Sequence, residues 1–133
     1  MRLLCVSVTV ALAAIGGGCS KSPATIAKET RQAAASWAAT LSAGAEWWGS
    51  SEVSTSYFQT LVDQARTSLQ KEEQTARKSA GDAAAAPVKA VASHAAAIAD
   101  AVKRGDRTAA ILAGHAAALE VPAEKTPAVA RPE

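Results

Sequence analysis

The chain has 133 residues, 49% of them hydrophobic but only 4% aromatic, and its 14 basic and 12 acidic side chains leave a net charge of +2. Such near balance gives no electrostatic footprint for nucleic acid or for a strongly acidic partner, and the length suits one small domain rather than two. Alanine makes up about a quarter of the residues. As the best helix former it predicts an all-α fold with a thin core, because a buried methyl contributes less than Leu or Phe.

Residues 1–18 begin with one basic side chain, Arg2, run through an apolar stretch from Leu3 to Ile15 and end in Gly16-Gly17-Gly18. This is the pattern of an export signal. The apolar run is about thirteen residues, short of the roughly twenty that cross a bilayer as a helix, so it is predicted to be cleaved rather than to span. A small-residue run ending in Cys19 directly after an apolar core resembles the lipobox of bacterial lipoproteins. The likeness covers about twenty residues, too short a motif to speak of activity. It departs at Gly16, where the family usually has Leu. The resemblance implies cleavage before Cys19 and a diacylglycerol on its sulfur, with fatty acyl groups such as palmitate as the only covalent additions. With Ser20 next, it also implies sorting to the outer membrane, facing the periplasm. Ordinary cleavage after Gly18, leaving a free thiol, is the alternative. Cys5 leaves with the signal, so the mature chain has no partner for a disulfide. Acylation would cap the remaining thiol and hold the protein on a membrane without a spanning helix.

Residues 19–22 form a short tether, and residues 23–120 are predicted to be the helical domain. Ser22 suits an N-cap with Pro23 in the first turn, where a missing N–H does no harm. Ile26, Thr30, Ala33, Trp37, Leu41 and Trp48 then recur at helical spacing. Gly49 is expected to stop this helix in a left-handed conformation, with Ser50-Ser51 as loop and new cap. A second helix, 53–80, carries Phe58, Leu61, Ala65, Leu69, Glu72 and Ala76 on its inner face. Gly81-Asp82 stops it, and a third helix is expected to begin between Asp82 and Pro87, Pro87 being favoured because proline fits a first turn and not an interior. Val88, Val91, Ala95, Ile98 and Val102 follow the three-four spacing of a heptad seam. Gly105-Asp106 repeats the stop and cap. The fourth helix, to Glu120, is given a core stripe of Thr108, Leu112, His115 or Ala116, and Leu119. Residues 121–133, proline-containing and without an apolar period, are predicted to be a disordered tail.

Two hairpins of this kind make an antiparallel four-helix bundle, preceded by the cleaved signal. A long hairpin with a loosely attached shorter one is the alternative. Basic residues near helix ends, Arg77, Lys78, Lys103 and Arg104, are explained by the helix dipole.

Two clusters could carry function. Trp47, Trp48, Tyr57 and Phe58 gather around the first turn, and Trp47, Trp48 and Tyr57 are the candidate partner contacts. Adjacent helical residues point about 100° apart, so Trp48 and Tyr57 are expected in the core and Trp47 outside it. His94 and His115 stand at similar distances from Gly105, and hairpin registers bring Glu72 towards their level. These three form a candidate zinc or copper site, the other reading being a polar layer of His and Glu. There is no nucleophile elbow and no glycine-rich phosphate loop in the mature chain. The expectation is therefore a non-enzymatic envelope lipoprotein, a small structural or protein-interaction module with an unidentified envelope protein as partner. A module binding a metal ion or a small apolar ligand is the alternative.

Overall fold

A computed structural model describes residues 21–122. They form four α-helices: α1 (Pro23–Gly49), α2 (Thr55–Ala80), α3 (Asp82–Arg104) and α4 (Arg107–Glu120). The signal, Cys19 and tail residues 123–133 lie outside the described part. Among the described residues no helix is long and apolar enough to cross a membrane.

Local chemistry places most of the helix ends. Ser22 Oγ accepts from the Thr25 N–H at 3.2 Å with Pro23 behind it. Asp106 Oδ1 accepts from the Ala109 N–H at 2.9 Å at the head of α4. Gly105, at φ 68°, turns the chain out of α3 in the left-handed region that costs other residues a Cβ clash.

Three boundaries differ from the sequence reading. Gly49 is helical, and the left-handed residue is Ser51, at φ 62°. The Glu52 N–H donates to the Trp47 carbonyl at 2.8 Å and the Ser51 N–H to the Trp48 carbonyl at 3.1 Å, which closes α1 as a Schellman turn two residues later than expected. The cap of α2 is Ser54, whose Oγ accepts from the Tyr57 N–H at 3.1 Å. Helix α3 begins at Asp82, directly after Gly81, and contains Pro87. Four consecutive alanines, Ala83 to Ala86, outweigh the proline. Its one missing donor would have served Ala83, which is exposed and leaves its carbonyl to water.

The helices run alternately up and down. Helices α1 and α3 pack against each other, α2 lies on one side of this pair and α4 on the other, and α2 and α4 do not touch. Helix α4 has 14 residues against 27 in α1, or about 21 Å against 40 Å at 1.5 Å per residue. It therefore covers only the half of the bundle nearest the α1–α2 turn.

The core runs through Leu41, Ala45 and Trp48 of α1, Phe58, Val62 and Leu69 of α2, and Ala110 and Ala117 of α4. Helix α3 meets it with the expected seam: Val88, Val91, Ala95, Ile98 and Val102 are all buried. Three inner faces were drawn differently from sequence. In α1 Ala34 and Ala38 are buried while Ala33 and Trp37 are half-buried. In α2 Val62 is buried while Leu61 and Glu72 are half-buried. In α4 the expected stripe faces outward: Leu112 is 63% and Leu119 82% exposed, while Ala110, Gly114 and Ala117 turn inward. Close approach is the reason. A Cβ added to Gly114 would lie 3.0 Å from the Ser42 Cα, so at this point α4 sits against α1 backbone with no room for a larger side chain.

Candidate interaction surface

The end of the bundle where α1 turns into α2 carries four aromatic side chains in two adjacent pairs. Each pair splits. Trp48 and Phe58 point in and stack with ring centroids 5.4 Å apart at 26°; Trp47 and Tyr57 point out, 46% and 54% exposed. The 100° step between neighbours allows this: with one residue of each pair facing the core, the residue before it is turned to the side. Trp47 and Trp48 lie as expected. Tyr57 does not: the stripe that buries Phe58 turns Tyr57 to solvent.

Below this exposed pair the structure is firmly held. The Trp48 Nε1–H donates to Thr55 Oγ1 at 3.1 Å, so the buried indole leaves no unpaired donor. The Arg107 guanidinium lies over the Trp48 ring, 5.4 Å from its centroid, and donates to Ser51 Oγ. Arg107 thereby ties the start of α4 to the α1–α2 turn and supports Ser51 in its left-handed conformation. The sequence reading missed this residue. Arg107 is 56 positions from Ser51, and only the folded topology brings the two together.

The candidate metal ligands separate. His94 Nε2 contacts Glu120 Oε1 at 3.1 Å, linking α3 to α4. His115 Nε2 contacts Glu46 Oε1 at 2.7 Å, linking α4 to α1. Glu72 lies elsewhere, bordering a groove with Ile26, Glu29 and Thr30, so the expected α1–α2 register holds while the two histidines engage other carboxylates. No group of three His, Cys, Asp or Glu that could hold a metal occurs among the described residues. The arrangement is two separate His–Glu pairs, both fastening α4 to its neighbours.

Ser68 and Lys71 have S-x-x-K spacing, and Ser93 precedes His94. Among the described residues no hydrogen bond joins either pair; Ser93 Oγ donates instead to the Lys89 carbonyl of its own helix at 3.2 Å.

A cleft of about 670 Å³ opens beside α1 and α3 just past the end of α4, between Arg31, Ala86, Pro87, Ala90, Glu120 and Val121. Its walls are mostly alanine and proline, without a convergent set of polar groups. No known protein family, curated protein or solved structure matches the chain.

Proposed function

We propose that this protein is a lipid-anchored, non-enzymatic interaction module of the bacterial envelope. It is held on the outer membrane through Cys19 and presents the Trp47–Tyr57 end of its bundle to another envelope protein. The observation that supports this most is the aromatic end itself. Two large, amphipathic side chains stand exposed over a stacked and hydrogen-bonded base. Exposed Trp and Tyr on a rigid support match the residues that dominate protein interfaces, because they bring large contact area at small conformational cost. The anchor is supported by the lipobox-like run ending in Cys19. The described helices, starting at Pro23, would then stand very close to the bilayer.

The anchor and the surface are tested separately. Cys19→Ser should move the protein from the membrane fraction to the soluble envelope fraction or leave it unprocessed; an unsubstituted chain that is already soluble, with a maleimide-reactive Cys19, rules the anchor out. For the surface, a photo-cross-linking amino acid at position 47 or 57 should trap the same envelope protein in intact cells, and one at exposed Gln70 should trap none. Identical patterns from all three positions would remove the aromatic end as the contact.

A further inference from the structure

Helix α4 is too short to cover the whole α1–α3 seam, and the chain leaves α4 facing the part left open. The cleft there is lined by Ala86, Pro87 and Ala90 of α3 and by Arg31 of α1, and its remaining wall is the end of the described chain, Val121 and Pro122. Val121 leaves the helix with φ −131° and ψ 78° and is only 5% exposed, so the chain turns in against the bundle at this point. Eleven residues, 123–133, follow it.

We propose that residues 123–127 lie extended in this cleft, running along α3 towards its start as a strap over the open part of the seam. The lengths agree. The contact between His94 and Glu120 puts these two residues at one level. Two extended residues advance about 6 Å, as far as four helical ones. Pro122 then falls level with Ala90, and both do line the cleft. The same step sets Glu124 level with Ala86 and Thr126 level with Asp82, the first residue of α3. The chemistry agrees as well. Pro122 and Pro127 cannot continue α4, and each biases the residue before it towards extended backbone. The α3 side of the cleft is made of alanines and a proline, which let another backbone come close. Arg31 has no carboxylate within ion-pair distance among the described residues, and Glu124 is the acid that the step brings beside it. Without an apolar period the tail cannot build a core of its own, but it needs none to lie against a floor that is already folded. One exposed ion pair and a few small contacts make a strap that is easily released. The cleft is thus filled by the chain itself and is not a ligand pocket. It is separate from the Trp47–Tyr57 end and does not depend on what that end binds.

Maleimide labelling of the full chain, read peptide by peptide in a mass spectrometer so that Cys19 does not interfere, tests the strap. Deleting residues 123–133 should speed the reaction of Ala86→Cys several-fold and leave that of Gln70→Cys, on the exposed side of α2, unchanged. Arg31→Glu should speed Ala86→Cys as the deletion does, and Arg31→Glu combined with Glu124→Arg should restore the slow rate. Purified protein should protect Ala86→Cys as well as native membranes do, because the strap belongs to the chain. Four results would each overturn the proposal: equal Ala86→Cys rates with and without the tail; an equal gain at Gln70→Cys, which means that the whole bundle has loosened; no rescue by the exchanged charges; or protection found only in membranes, which means that a partner or the bilayer covers the cleft.

Discussion

Helices α3 and α4 carry apolar stripes that look alike in sequence and end on opposite sides of the molecule. In α3 the heptad seam of Val88, Val91, Ala95, Ile98 and Val102 is buried. In α4 the stripe of Leu112 and Leu119 is exposed, and the buried residues are Ala110, Gly114 and Ala117. The difference lies in what stands on the back of each stripe. Behind the α3 seam are Lys89, Ser93, Asp100 and Lys103, residues that would cost solvation free energy if buried. Behind the α4 leucines the buried residues are Ala110, Gly114 and Ala117, which are buried at no polar cost and close to the α1 backbone. A helix with two apolar faces, one of small residues and one of leucines, can dock by either. Here the small face wins within the chain, leaving the leucines free.

The largest test of this contrast is Ile98→Ala. Ile98 is fully buried, and removing its side chain should lower unfolding free energy by about 2–5 kcal/mol in a denaturant titration. A loss below about 1 kcal/mol would mean that the α3 seam is not the core it looks like, since that is the cost of a minor trimming rather than a cavity.

Gly114→Val comes next. A valine branches at the Cβ, which would already stand 3.0 Å from the Ser42 Cα, so α4 and α1 must separate. Overpacking of this kind costs about 1–3 kcal/mol. Helix propensity alone would predict a small gain on replacing glycine, so the direction of the change in melting temperature separates the two accounts. An increase would show that α4 does not depend on close approach.

What could be read from the sequence follows from the same physics. The seam of α3, the caps at Ser22 and Asp106 and the stop at Gly105 were legible because each is written in local residues. So was the inward Trp48 beside the outward Trp47, and Tyr57 was misplaced only because the same 100° rule was not applied to Tyr57 and Phe58. The inner face of α4 was not legible, because alanine and glycine give no hydrophobic signal and their burial depends on where α1 lies. Pro87 misled for a related reason: the four alanines before it favour helix, and near the start of α3 the donor that the proline lacks would have served only the exposed Ala83. His94, His115 and Glu72 lie apart because equal distance from a turn fixes level along a bundle and not direction around a helix. Of the aromatic end, the exposed residues could be read and their Arg107 support could not.

Capping gives a smaller test of the comparison. Helix α3 begins at Gly81 with no side-chain cap bond, whereas α4 begins with Asp106 accepting from the Ala109 N–H. With 14 residues against 23, α4 relies more on its end than α3 does. Asp106→Ala should cost about 1 kcal/mol, and hydrogen exchange should quicken mainly in α4. Uniform loss of protection across all four helices would mean that α4 unfolds only with the whole bundle.

The smallest effect is the most discriminating. Leu112→Ser and Leu119→Ser should each change stability by no more than about 0.5 kcal/mol, the usual range for surface positions. Leucine to serine replaces an isopropyl group with a hydroxyl and lowers helix propensity, so inside a core either change would cost several kcal/mol. The expected near-zero follows from exposure alone: Leu119, at 82%, has little contact to lose. Ile98→Ala measured beside them supplies the scale, because its seam has the same spacing and differs only in the side it faces. Losses at Leu112 and Leu119 comparable to that at Ile98 would show α4 rotated so that its leucines enter the core. Ala110 and Ala117 would then be the exposed positions, and the close contact between Gly114 and Ser42 could not exist.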